Sequence, residues 1–93
     1  MEKFVVAQFY IKPEYINEFR TLTSELIKHT RLEAGNISYT LYQDVEDDTH
    51  FVFNEKFKDQ ASFDAHTQTS HFNTFINAVG HTYAKDPIIE IIK

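Results

Sequence analysis

His50–Phe72 reads HFVFNEKFKDQASFDAHTQTSHF. From His50 to Phe57 the side chains alternate, with Phe51, Phe53, Glu55 and Phe57 opposite His50, Val52, Asn54 and Lys56, which is the period of a strand. Asp59 is placed to cap a following helix, with Ser62 three residues on, and Ala61, Phe63, Ala65 and His66 give that helix a compact apolar pattern. Thr67-Gln68-Thr69-Ser70 has weak helical preference. Ser70 is placed to cap a second helical piece carrying Phe72, Phe75, Ile76 and Val79. The stretch is therefore a strand, a turn and two helical pieces separated by a break. Three of the five histidines lie in it, and the walls of any small-molecule site are expected here.

Upstream, Asp44–Thr49 (DVEDDT) is a charged connector short enough for a hairpin-type return. Its four acidic residues lack the spacing and central glycine of a calcium loop, so it reads as a solvated turn. Ile37–Gln43 is a strand with Ile37, Tyr39 and Leu41 on one face. Before it, Glu14–Leu32 carries Ile16, Phe19, Leu22, Leu26 and Ile27 at helical spacing, with Pro13 near its first turn. Ala34-Gly35-Asn36 ends that helix, Gly35 being expected as its left-handed closing residue. Lys3–Ile11 (KFVVAQFYI) is a strand with neither face properly polar. Downstream, Gly80 is expected to stop the last helix, His81–Asp86 to form a loop, and Pro87 to open a final strand at Ile88–Ile92.

The order is β-α-β-β-α-β, the split pattern of a ferredoxin-like α+β domain with a four-stranded antiparallel sheet. Residues 1–93 make one domain. Two helices cover one face of such a sheet, yet the first and last strands are apolar on both. The uncovered face is expected to meet a second copy, sheet to sheet, in a homodimer. With fourteen acidic against nine basic residues the chain carries a net charge of −5, which repels a phosphate backbone and argues against a nucleic-acid partner. There are no cysteines for a disulfide or a thiolate metal site. No apolar run is long enough to cross a bilayer, and the opening MEKFVVAQF does not read as a cleavable apolar segment, so no leader is expected. A cytoplasmic protein with no membrane partner is expected. Nine Phe and five Tyr are more ring area than a small core needs, so a dimer interface or an apolar pocket is expected to use the rest.

Three segments carry a resemblance to a known family: Glu33-Ala34-Gly35-Asn36, Glu55 in its strand, and His66 followed by Ser70-His71-Phe72. Together they resemble the antibiotic biosynthesis monooxygenase family, especially its quinol-monooxygenase-like branch, over nearly the whole chain. The resemblance implies a dimeric ferredoxin-like protein that oxidises a quinol or polycyclic phenol with O2. It implies no metal, flavin or heme cofactor, the substrate anion itself supplying an electron. Heme-degrading relatives are expected to use a Trp, and this chain has none. A phosphosugar isomerase relative would need converging cations, and the two arginines, Arg20 and Arg31, both fall on the first helix. A non-catalytic dimer binding an aromatic or quinone metabolite is one competing function, and a heme-binding or heme-degrading relative is the other.

His66 and His71 are the candidate catalytic residues, since imidazole titrates near neutral pH and takes a phenolic proton. They lie five residues apart across the break, without one-face geometry or an evident third ligand, so no metal site is expected. Glu55, set among three phenylalanines, needs a partner or a raised pKa. Asn36, Tyr39, Phe53, Asn54, Glu55, Phe63, Phe72 and Tyr83 are the candidate substrate-binding residues. His29, His50 and His81 are expected at the surface.

Overall fold

The computed structural model describes residues 1–93. Strand β1 (Lys3–Ile11) leads through a 3-10 turn at Pro13–Tyr15 into helix α1 (Ile16–Thr30), followed by strands β2 (Asn36–Gln43) and β3 (His50–Phe57). Helices α2 (Gln60–His66) and α3 (Ser70–Val79) come next, and a 3-10 turn at Gly80–Thr82 precedes strand β4 (Tyr83–Ile91). The sheet runs β2-β3-β1-β4, antiparallel throughout, so β1 and β3 form its centre and β2 and β4 its edges. This is the ferredoxin-like arrangement.

Alternation in β1 and β3 sends Val5, Ala7, Phe9, Ile11, Phe51, Phe53 and Phe57 under the helices, where they meet Phe19 and Leu26 of α1 and Phe75 and Val79 of α3. Phe9 is the hub, with ring centroids 5.6 Å from Phe19 and 5.8 Å from Phe53. Arg31, just past α1, clamps the helix to β2 by donating from Nε and Nη2 to the Tyr39 carbonyl at 3.0 and 2.8 Å. That clamp fixes the strand position from which the Tyr39 side chain enters the core.

Several local expectations are corrected. Strand β4 begins at Tyr83, and Pro87 lies inside it; a proline is tolerated because β4 is an edge strand, and Asp86–Pro87 bulge opposite Phe9. Gly35 is not left-handed, since no residue has positive φ. It permits close approach, because a Cβ there would stand 2.3 Å from Ser62 Cβ. Asp59 caps α2 as expected, accepting from the Ser62 amide at 2.8 Å. The cap of α3 is Thr69 rather than Ser70, its hydroxyl accepting from the Phe72 amide. His50 is not superficial: its ring stacks on Tyr10 at 4.7 Å and lies within hydrogen-bond distance of Asp44 and Gln8.

Candidate active site

The break between α2 and α3 is held by Thr69, whose hydroxyl donates to the His66 carbonyl at 2.7 Å while capping the next helix. This leaves His66 on the last turn of α2 and His71 on the first turn of α3, with Glu33 between them from the α1–β2 connection. Each histidine reaches the same Glu33 oxygen: His66 Nδ1 lies 2.9 Å from Oε2 and His71 Nε2 lies 2.6 Å from it. An ionised carboxylate only accepts, so the His66 proton sits on Nδ1 and the lone pair on Nε2. That Nε2 is buried and has no hydrogen-bond partner, although the residue is only 1% exposed. Leaving such an atom unpaired costs on the order of 1–3 kcal/mol, which is a reason to look for chemistry there.

His66 lines an apolar cavity of about 300 Å³ between the helices and the sheet, whereas Glu33 and His71 do not. Nε2 lies on the ring edge that Glu33 does not take up, buried in the wall that His66 helps to form. Phe63, Phe72, Phe53 and Phe75 supply aromatic walls, and Tyr83, Pro87 and Ile89 of β4 close the far side. Burial holds the His66 pKa below that of ordinary imidazole; the bond to Glu33 opposes this, and a positive charge on His71 adds to it. Glu55 enters the same cavity, and its carboxyl is pushed up to about 8, first by burial and then by the Glu33 charge. Burial, then Glu55 and Glu33, raise the Tyr39 phenol; burial, then Asp86, raise Tyr83. At neutral pH the residues lining the cavity therefore include one acceptor without a partner, His66 Nε2, and three groups in their protonated form, Glu55, Tyr39 and Tyr83. No Lys or Arg lines it.

Residues 4–78 match the model of the antibiotic biosynthesis monooxygenase family. The chain belongs to that family. It is 40% identical over 74 residues to the candidate monooxygenase YcnE of Bacillus subtilis, covering 77% of this chain and 78% of that one. A crystal structure described as an antibiotic biosynthesis monooxygenase superposes with a TM-score of 0.93 at 34% identity, over 100% of this chain and 97% of the other. A conserved protein from Methanosarcina mazei Go1 superposes at 0.96 with 32% identity, over 100% and 92% of the two chains.

The segments that carry the family resemblance are the ones the fold gathers. Glu33, His66 and His71 form the cluster, and Glu55 faces the cavity beside it. Of the residues expected to bind substrate, Tyr39, Phe53, Glu55, Phe63, Phe72 and Tyr83 line the cavity with His66. Asn36 and Asn54 do not, and neither does the catalytic candidate His71. Asn36 bridges β2 and β3, donating to the Ser38 and Lys56 carbonyls at 3.1 and 3.2 Å. Asn54 stands between Val6 and Thr40 on the helix-free face. His71 lines a separate groove between α1 and α3, beside His29 and Glu25.

Glu33 was missed as a site residue by pattern reading alone; its place in the family-like EAGN segment was the available signal. The ligand atoms of Glu33, His66 and His71 lie within 4.8 Å of one another. Tetrahedral zinc bonds of about 2.0–2.2 Å would hold ligands roughly 3.3 Å apart. Both nitrogens instead approach one oxygen at 2.9 and 2.6 Å, which are charge-assisted hydrogen-bond lengths. The cluster is a carboxylate shared by two imidazoles.

Proposed function

We propose that this antibiotic biosynthesis monooxygenase family member oxidises a quinol or polycyclic phenol with O2, His66 acting as the base. The observation that carries the reading is the bare Nε2 of His66, buried at the wall of an apolar cavity and oriented from behind by Glu33. A neutral phenol entering the cavity gives its proton to Nε2, and burial makes the resulting phenolate a better electron donor than it is in water. The anion then transfers one electron to O2, and no prosthetic group is needed for that step. Protonated Glu55 and the Tyr39 and Tyr83 hydroxyls donate to the ring oxygens. The absence of a cation in the lining disfavours a phosphorylated substrate. Two copies pair through their helix-free sheet faces, and a chain without cysteine suits the cytoplasm.

The test is anaerobic titration with a panel of hydroquinones and naphthoquinols, followed by O2 uptake when air is admitted. Binding and uptake are expected in the wild type. His66→Gln should bind yet lose uptake by roughly 10²-fold or more, the contribution of a positioned base. Binding without uptake across the panel would instead leave a non-catalytic binding module, and a Soret band on adding heme would point to a heme-handling protein.

A further inference from the structure

A proton delivered to His66 Nε2 has nowhere to go on the cavity side, because the walls there are apolar and the donors around it are already protonated. The other side of the ring is different. Glu33 Oε2 joins His66 directly to His71, and His71 lines a groove of about 370 Å³ between α1 and α3 that His66 does not reach. In that groove the His29 ring lies 5.7 Å from His71, with Glu25 3.5 Å from His29 Nε2. Glu33, His66 and His71 thus connect an apolar cavity to a polar surface groove.

We propose that His71 is the proton-exit residue of the site: when His66 gains a proton from the cavity, His71 releases one to the groove, the Glu33 carboxylate holding a single imidazolium at a time. This rests on the base role given to His66 above. The proposed step starts from a cluster in which His66 carries its proton on Nδ1 and the Glu33 carboxylate also accepts Nε2–H of a doubly protonated His71. Substrate hydroxyl transfers its proton to His66 Nε2, leaving the substrate anionic and His66 cationic. His71 then loses its Nδ1 proton to groove water. One proton has entered the cluster and one has left, so its net charge is unchanged and only the substrate's charge has changed. When the reduced oxygen takes a proton back from His66, His71 reloads from the groove.

Two observations favour exchange over a simple clamp. A clamp needs one imidazole on the carboxylate, and here two share one oxygen. The positive charge of His71 also works against that of His66, which is the competition that one-in, one-out transfer requires. The other groups facing the pair are Glu55, Tyr39 and Tyr83 from the sheet side, all neutral at neutral pH, and His29 with Glu25 from α1.

The experiment uses no substrate, so its outcome is separate from whether the protein oxidises quinols. The ring nitrogens of ¹⁵N-histidine-labelled protein are followed from pH 8 to 4.5 in the wild type, His71→Gln, His71→Ala and His29→Gln. In the wild type, the charge of His71 should hold back the second proton on the His66 ring, so that His66 gains it only toward the acid end of the range. In His71→Gln, which keeps a neutral donor to Glu33, His66 should titrate alone with its midpoint raised by about one pH unit, a ten-fold gain in proton affinity. Millimolar imidazole added to His71→Ala should restore the wild-type curve by occupying the groove, and His29→Gln should leave it in place. An unmoved His66 midpoint in His71→Gln, with the backbone spectrum unchanged, would overturn the proposal, as would failure of imidazole to act on His71→Ala.

Discussion

Glu55 and His66 titrate in opposite senses within one cavity. The Glu55 carboxyl has a pKa of about 8 against an ordinary 4.5, so the native state holds a proton that the unfolded chain has lost. Its contribution to stability is full below pH 4.5 and is lost as pH rises through 8. His66 is depressed, so its contribution is present above the ordinary imidazole value and is lost as pH falls through the depressed one. Glu55→Gln keeps the size and a hydrogen-bond donor while removing the charge. Urea unfolding should find the variant close to wild type at pH 4.5 and more stable by a few kcal/mol at pH 8.5; equal stability at both pH values would show that Glu55 is not protonated at neutral pH. Glu33→Gln removes the charge that both imidazoles share. A loss of about 1.5–3 kcal/mol is expected for hydrogen bonds to a charged group. The His66 ring ¹⁵N shifts should show a mixture of tautomers in place of Nδ1–H alone.

Among the elements, the junction of β2 with α2 aims His66. Gly35 and Ser62 touch there so closely that a methyl at residue 35 would overlap the Ser62 side chain. Gly35→Ala should therefore cost about 1–3 kcal/mol by overpacking, and thermal unfolding should show Ser62→Gly recovering part of it. Thr69→Ala removes the cap of α3 and the bond to the His66 carbonyl. It is expected to cost about 0.5–2 kcal/mol, and the His66 and His71 ring signals should broaden as the break loosens. These junctions also show what was legible in the sequence. Strands β1 and β3 have the expected bounds because dense alternation of large side chains leaves one register that buries a face. The inward aim of His66 follows from periodicity beside Phe63. The start of β4 was hidden because Pro87 reads as a boundary, and only its place at a sheet edge makes it an interior residue. Thr69 and Ser70 are adjacent hydroxyls of similar capping ability, so the cap is decided by where α3 packs. The same packing turns His71 away from the cavity that His66 lines. Glu33 is brought to His66 from 33 residues away, a tertiary meeting that no local period announces.

At the scale of the whole molecule, the helix-free face of the sheet is the surface that most needs a partner. Phe4, Val6 and Tyr10 of β1, Val52 of β3, Tyr42 of β2 and Ile88 of β4 alternate out of the core onto it. Tyr42 is 54% and Ile88 42% exposed in the single chain. An interface of ordinary size buries about 800 Å² from each subunit. At roughly 25 cal/mol per Å² of apolar area, it exceeds the ~4–15 kcal/mol that association costs. Each chain carries −5 at pH 7, so long-range charge opposes pairing and apolar contact must drive it. Added salt should then leave the dimer intact or tighten it. Sedimentation equilibrium at micromolar concentration should find a dimer for the wild type and a folded monomer for Val6→Lys, which places an ammonium group in the middle of the apolar contact with only Glu90 opposite it. A wild-type monomer under those conditions would refute the pairing. The cavity lies across the sheet from this face, so the Val6→Lys monomer should still bind a quinol. Binding should nevertheless weaken, because β4 contributes Ile88 to the joint face and Tyr83, Pro87 and Ile89 to the cavity wall. An edge strand paired on one side only is steadier when a second copy covers it. The loss of affinity on dissociation therefore measures how far the partner stiffens the site without touching it.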